Sequence, residues 1–229
     1  MTTLPVACVI PALDAAPTLS GVISGLRVAF AALKTFVVVI DDGSRDDTYD
    51  VAKDRADEVV RFPRNRGKGA ALRAGFSRVL QIDAGAVVTL DADGQHDPAY
   101  APALVDALGG ADLVIGARDR RSPAMPVRRR LTNALSAAAV GRCIGRPVAD
   151  AQSGFRAIRP AILGSISARG DRYEYETEFL ILTARHGHRV AFVPVPTCYD
   201  VLVPSHFRSL RDSARIVGTL WRFNTRMAY

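Results

Sequence analysis

The chain has 229 residues, 48% of them hydrophobic and 23% charged, enough apolar material for one full core and too much for a disordered or fibrous protein. Its net charge of +7 points to an anionic partner, whether nucleic acid, a phosphorylated small molecule or an acidic membrane surface. Three widely spaced cysteines, Cys8, Cys143 and Cys198, suggest neither a disulfide framework nor a zinc site, and the N-terminus lacks the pattern of a signal peptide, so a cytoplasmic protein is expected.

In chain order, residues 6–10 (VACVI) read as a buried strand, 17–33 as a helix and 35–40 (TFVVVI) as a second strand ending at Asp41-Asp42-Gly43-Ser44. A short helix over 46–56 follows, with Ser44 and Asp46 as N-cap candidates, then a strand at 58–62 and a helix over 68–82. Residues 86–90 (AVVTL) form the next strand, 98–108 a helix and 112–117 (DLVIGA) another strand. Beyond an arginine-rich connector (118–130), an alanine-rich helix spans 131–141 and the loop GRPVADAQSGFRA leads to a helix over 175–186, a strand over 189–195 and a helical end from about 208. Strands alternating with helices imply an α/β fold with a mostly parallel central sheet and flanking helices. No linker marks a second domain: 1–207 reads as one domain and 208–229 as an amphipathic tail suited to a membrane surface.

Ligands of open α/β sheets bind beyond the carboxyl ends of the strands. Three strands end there in polar runs, PALDA, DDGS and DADGQH, so Asp41, Asp42, Asp91 and Asp93 are expected to converge on one crevice. Four carboxylates in a basic protein suit a hard divalent cation, Mg²⁺ or Mn²⁺, which prefers oxygen ligands and is completed by substrate phosphates. Asp91, Asp93 and the side-chain oxygen of Gln95 alternate along one turn and can face one ion. The blander alternatives are a DGS turn with cap residues, a turn in which Asp97-Pro98 starts the next helix, and a tight turn into a helix for GKGAA at 67–71.

PALDAAPTL, DDGSRDDT, NRGKGAALRAG, LDADGQHDP, IGAR and DAQSGFR, in that order over residues 5–185, resemble family 2 glycosyltransferases of GT-A fold, and most of all the dolichyl- or polyprenyl-phosphate mannose synthase branch. The resemblance implies an inverting transferase that moves a sugar from a UDP- or GDP-sugar to a polyprenyl phosphate or other membrane-linked acceptor. It implies donor contacts at Pro11, Leu13, Asp41, Asp42, Lys68, Asp91 and Ala92, and a metal site at Asp91, Asp93 and Gln95, with His96 close behind. Arg118 would sit near the diphosphate or acceptor, Asp150 would be the acceptor's base or an orienting group, and Gln152, Ser153, His206 and Arg208 would line the acceptor side. One departure concerns the donor: Leu13-Asp14-Ala15 stands where the family carries Tyr-Asn-Glu.

Six arginines lie between 118 and 130 against one acid, Asp119. On a helical projection of the end, Arg208, Arg211, Arg215, Arg222 and Arg226 share one arc beside an apolar stripe of Leu210, Ala214, Val217 and Trp221. This suits a protein lying peripherally on the inner, anionic face of the cytoplasmic membrane. Packing of that helix on the body is the alternative. Nucleic acid is not expected as a partner, because aromatic residues are not interleaved with the arginines. Nucleotidyl transfer, which would need a glycine-rich loop after the first strand, and a catalytically inactive sugar-nucleotide binder are the competing functions.

Overall fold

The computed structural model describes residues 4–119, 125, 127–196 and 209–225, with side chains left out at 128, 129, 209–213 and 225. Seven strands form one sheet in the order β3-β2-β1-β4-β6-β5-β7. They are β1 (Val6–Ala12), β2 (Thr35–Asp41), β3 (Glu58–Arg61), β4 (Ala86–Thr89), β5 (Leu113–Arg118), β6 (Arg156–Ile158) and β7 (Val190–Val195). All neighbours pair parallel except β6, which runs antiparallel between β4 and β5.

The helices are α1 (Ala16–Ala29), α2 (Thr48–Arg55), α3 (Lys68–Val79), α4 (Ala101–Asp106), α5 (Val127–Ile144), α6 (Pro160–Leu163), α7 (Glu174–Arg185) and α8 (Ser209–Thr225). The expected helix over 98–108 is broken into a short 3₁₀ turn at Pro98–Tyr100, α4 and a second 3₁₀ turn. Asp97 caps the first of these by accepting the Ala99 N–H. The alanine-rich helix begins at Val127 rather than 131, so part of the arginine run lies within it. Strand β6 is not announced by the sequence, where Arg156 and Ala157 close an expected loop and Ile158 follows it.

The period-two alternation of the strands explains the layers. Ala7 and Val9 face one side with Val38, Ile40 and Val87, against α3, α5, α7 and α8. Cys8 and Ile10 face the other with Val37, Val39 and Val88, against α1 and α4. With both faces covered, the central strands are apolar throughout, and polar residues concentrate where the strands end.

Helix α8 packs on α5 and α7 through Ile216, Thr219 and Leu220. Arg185 clasps the three helix ends, donating to the carbonyls of Cys143 and Phe223. Val217 and Trp221, from the stripe read in the sequence, point outward and are 63% and 69% exposed. No helix among the described residues is long and apolar enough to cross a membrane.

Candidate active site

The carboxyl ends of β1, β2 and β4 open on one crevice, and hydrogen bonds stitch its loops together. After β1 the chain turns at Asp14, whose φ of 46° lies in the left-handed region that Asp tolerates better than most residues. Asp14 donates its N–H to the Ser44 hydroxyl (3.0 Å) and accepts the Arg45 N–H (2.8 Å). Ala15 is buried and donates to Thr48 Oγ1 (2.7 Å), so the segment that departs from the family pattern is fastened to the DDGS loop. Ser44 thus serves the neighbouring loop rather than capping α2, whose N-cap is Asp47 without a side-chain bond. Pro11 and Leu13, both half-buried, border this turn.

Asp41 accepts the Ser44 N–H (2.8 Å) and lies 3.1 Å from Arg61 Nε. Asp42 accepts the N–H groups of Arg66 (2.6 Å) and Gly67 (2.8 Å). Burial nevertheless pushes the Asp42 carboxyl up, against the pull of those two donors. Gly67 (φ 105°) is required twice over, since a Cβ would also stand 2.4 Å from the Asp171 carbonyl oxygen.

The next residue, Lys68, opens α3 and reaches across to the fourth strand's end. Its Nζ lies 2.6 Å from Asp91 Oδ1 and 3.0 Å from Glu176 Oε1 on α7. The 66–68 segment therefore ties Asp42 to Asp91, and the GKGAA turn is more than a helix start. Gly154 lies against the same pair: a Cβ there would come within 2.6 Å of Lys68 Nζ and 2.7 Å of both Asp91 oxygens. Burial would raise Asp91, but Lys68, helped by Arg118, holds its carboxyl below the ordinary value.

Asp93, on the same turn, is raised, first by burial and then by the charge of Asp91. Its Oδ1 accepts the Gln95 N–H (3.0 Å). Ala92, between the two acids, is buried and accepts the Thr18 hydroxyl (2.6 Å), which pins the turn to α1. His96 is buried against the Phe155 ring at 5.5 Å, and burial lowers its imidazole to about 4, so it is neutral.

Arg118 closes β5 and grips Asp150 with two nitrogens, at 2.7 and 3.0 Å. Asp150 also accepts the Gln152 N–H (2.9 Å). Burial would raise the Asp150 carboxyl, but Arg118 holds it below its ordinary value. Ser153 is fully buried, with its hydroxyl toward the Phe155 N–H. His206 and Arg208 fall outside the described residues.

Among the described residues, no three or more His, Cys, Asp or Glu side chains form a cage for a metal ion. An ion supplied with oxygen by its substrate does not need one. Asp93 fits that role, a carboxylate raised by burial and by its neighbour's charge, with Gln95 two residues on giving it a backbone N–H. Asp91 is already engaged by Lys68.

Sequence reasoning named Lys68, and left Glu176 and Glu178 to face the acceptor or cap a helix, but did not foresee that Glu176 meets Lys68. Glu176 is 3% exposed, and its backbone carbonyl accepts from Arg156 (2.9 Å), itself 3% exposed. The signal was present in YEYETEFL, where acids interrupt an apolar helix, but spacing alone left capping and substrate contact equally open. Glu178 has a structural duty there, accepting the N–H groups of Arg169 and Gly170.

The family model described as "Glycosyl transferase family 2" matches residues 7–166. An uncharacterized protein of Methanocaldococcus jannaschii is 37% identical over 172 residues, 71% of this chain and 70% of that protein. The undecaprenyl-phosphate mannosyltransferase of Micrococcus luteus is 32% identical over 182 residues, 74% of each chain. Among solved structures, glucosyl-3-phosphoglycerate synthase from Mycobacterium tuberculosis, in complex with Mn²⁺, UDP and glucosyl-3-phosphoglycerate, superposes with a TM-score of 0.69 at 25% identity, covering 96% of this chain and 80% of that one.

Proposed function

This chain belongs to glycosyl transferase family 2 and has the GT-A fold, and on that footing we propose that it is an inverting transferase carrying a sugar from a nucleotide diphosphate to a lipid phosphate at a membrane surface. The observation that carries this reading is the continuous line from Asp42 through Gly67 and Lys68 to Asp91, with Asp93 and Gln95 beside it. A nucleotide diphosphate lying along that line would meet carboxylates for its ribose and base at one end. At the other end, Asp93 and Gln95, with Asp91 at the edge, would hold a divalent cation. Such a cation neutralises the diphosphate and makes it a better leaving group. The bound Mn²⁺ and UDP of the mycobacterial synthase support this donor class.

Arg118 supplies positive charge for the departing diphosphate or the incoming acceptor. Asp150 orients Arg118 rather than acting as a base, because both its oxygens are engaged and its proton affinity is depressed. A phosphate acceptor fits that arrangement, being ionised already near neutral pH.

Two exposed surfaces support a membrane acceptor. Val127, Leu131 and Leu135, one turn apart on α5, are 76%, 61% and 62% exposed, and the arginine-rich connector from Arg118 runs directly into this helix. Val217 and Trp221 on α8 add a second apolar patch beside Arg215 and Arg222. Apolar side chains among arginines match an anionic lipid surface.

The test incubates the full chain with radiolabelled UDP- and GDP-sugars, Mn²⁺ or Mg²⁺, and anionic vesicles containing polyprenyl phosphate. Label is expected in the organic extract with one nucleotide, and to fall when Leu131 and Trp221 are changed to Glu. No transfer with either nucleotide, or transfer only to soluble phosphorylated acceptors, would overturn the lipid reading.

A further inference from the structure

Lys68 is shared by two carboxylates that differ in their access to the crevice. The Asp91 side chain is 24% exposed and that of Glu176 only 4%, with Lys68 at 12% between them. Glu176 therefore belongs to the interior and Asp91 to the cleft.

Behind Glu176 the line continues. Arg156 on β6 donates to the backbone carbonyls of Glu176, Ser153 and Ala151, and so fixes the start of α7 against the loop that carries Gly154. From the interior outward, charges alternate: Arg156, Glu176, Lys68, Asp91.

Position and charge both follow from this order. A four-carbon lysine stem with a single partner has many rotamers, and a second, deeply buried carboxylate removes most of them. Lys68 then holds Asp91 in one orientation at the lip of the cleft. One ammonium is also shared between two carboxylates, so it cancels Asp91 less completely than it would alone, while Arg156 meets Glu176 at its backbone carbonyl rather than at its carboxylate. Were Glu176 neutral, the ammonium would belong to Asp91 alone and would cancel it.

The contact with Glu176 is one of charge more than of an aligned hydrogen bond. Glu176 Oε1 is buried 3.0 Å from the ammonium, yet it accepts no well-directed hydrogen. The shorter of the two contacts of Lys68, at 2.6 Å, is the one to Asp91.

We propose that Glu176 is a positioning residue of the donor site: acting through Lys68, it fixes the orientation of Asp91 and keeps the cleft negative enough to take a nucleotide together with a divalent cation. Glu176 touches neither ligand. The inference rests on the reading of the crevice as a nucleotide-sugar site and adds to it a residue 85 positions away from Asp91 in the chain.

The experiment is isothermal titration of the full-length protein with UDP and with GDP, each with and without Mn²⁺, for wild type, Glu176→Gln and Glu176→Asp, accompanied by urea unfolding of all three. Glu176→Gln keeps the shape and removes the charge. It should weaken Mn²⁺-dependent nucleotide binding about tenfold, the lower end of what groups acting one shell from a metal contribute, and weaken metal-free binding much less. Glu176→Asp keeps the charge and should recover most of the loss, whatever its urea midpoint.

Wild-type affinity in a folded Glu176→Gln would overturn the proposal. So would equal losses in both variants that track their urea midpoints, since that pattern belongs to a structural residue. If Glu176→Gln fails to fold, the test rests on Glu176→Asp, whose Mn²⁺-dependent affinity must stay within about threefold of wild type, a difference of well under 1.4 kcal/mol. Failure of wild type to bind either nucleotide is a separate outcome, and it overturns the donor-site reading itself.

Discussion

Asp91 lies past the carboxyl end of β4, whereas Asp112 lies just before the amino end of β5, and both are met by basic side chains. Asp112 accepts the Arg189 N–H (2.8 Å) and the Arg159 Nε (3.2 Å), with the Arg189 guanidinium and His188 at 3.9 and 4.0 Å. One acid there meets several bases, and its carboxyl is held below the ordinary value, first by the Arg189 N–H. At Asp91 the ratio is reversed, since a single lysine serves two acids and the neighbouring Asp93 is raised. The same residue types thus make a seam at one end of the sheet, joining β5 to β7, and an unfinished site at the other. An enclosed excess of negative charge is costly, and it persists where a cation from outside can complete it.

The comparison breaks most sharply at Lys68. Lys68→Met leaves two carboxylates facing each other without their cation and should lower stability by about 3–5 kcal/mol, read as a fall in the urea midpoint. At Asp93 the expected sign differs between two measurements. Asp93→Asn should abolish the rise in melting temperature that Mn²⁺ with nucleotide gives to wild type, while the ligand-free protein melts no lower, because a repulsive charge has gone.

At the seam, Asp112→Asn should cost about 1 kcal/mol at neutral pH. Its acid dependence follows from the depressed folded pKa. The unfolded state takes up the proton first as pH falls, so the advantage of wild type is complete above the ordinary value of 3.8 and is lost as pH drops through the lower folded one. Urea midpoints of the two proteins should therefore converge in acid. Smallest of all, Arg189→Ala keeps the backbone N–H and removes only the contact at 3.9 Å, so a change within about 0.5 kcal/mol is expected.

The first half of the fold was legible because β-branched runs such as TFVVVI end abruptly in acids, and β1, β2 and β4 fall where those runs are. Strand β6 was hidden: Arg156–Ile158 is too short for a period, and its antiparallel place between β4 and β5 is decided by partners far away in the chain. The early start of α5 was hidden too, since arginines carry no apolar stripe to announce a helix. Local motifs named Asp42, Asp91, Asp93, Arg118 and Asp150, whereas the bidentate grip of Arg118 on Asp150 and the link from Lys68 to Glu176 are tertiary facts. The exposed stripe on α5 was likewise out of reach, because sequence cannot say which apolar face of a helix remains uncovered.

Gly154 sits where Lys68, Asp91 and the loop behind Arg156 come together, and a methyl group there would stand 2.6 Å from the ammonium and 2.7 Å from the carboxylate oxygens. In a saturation library its neighbourhood would leave an unusual fingerprint. Substitutions at Gly145, whose φ is 70° with open space around it, should be graded by how well each residue tolerates a left-handed backbone, Asn best and β-branched residues worst. At Gly154 the ranking should follow size instead: even alanine must displace the Lys68–Asp91 pair, so a screen for function would register the position although its residue has no side chain to do chemistry.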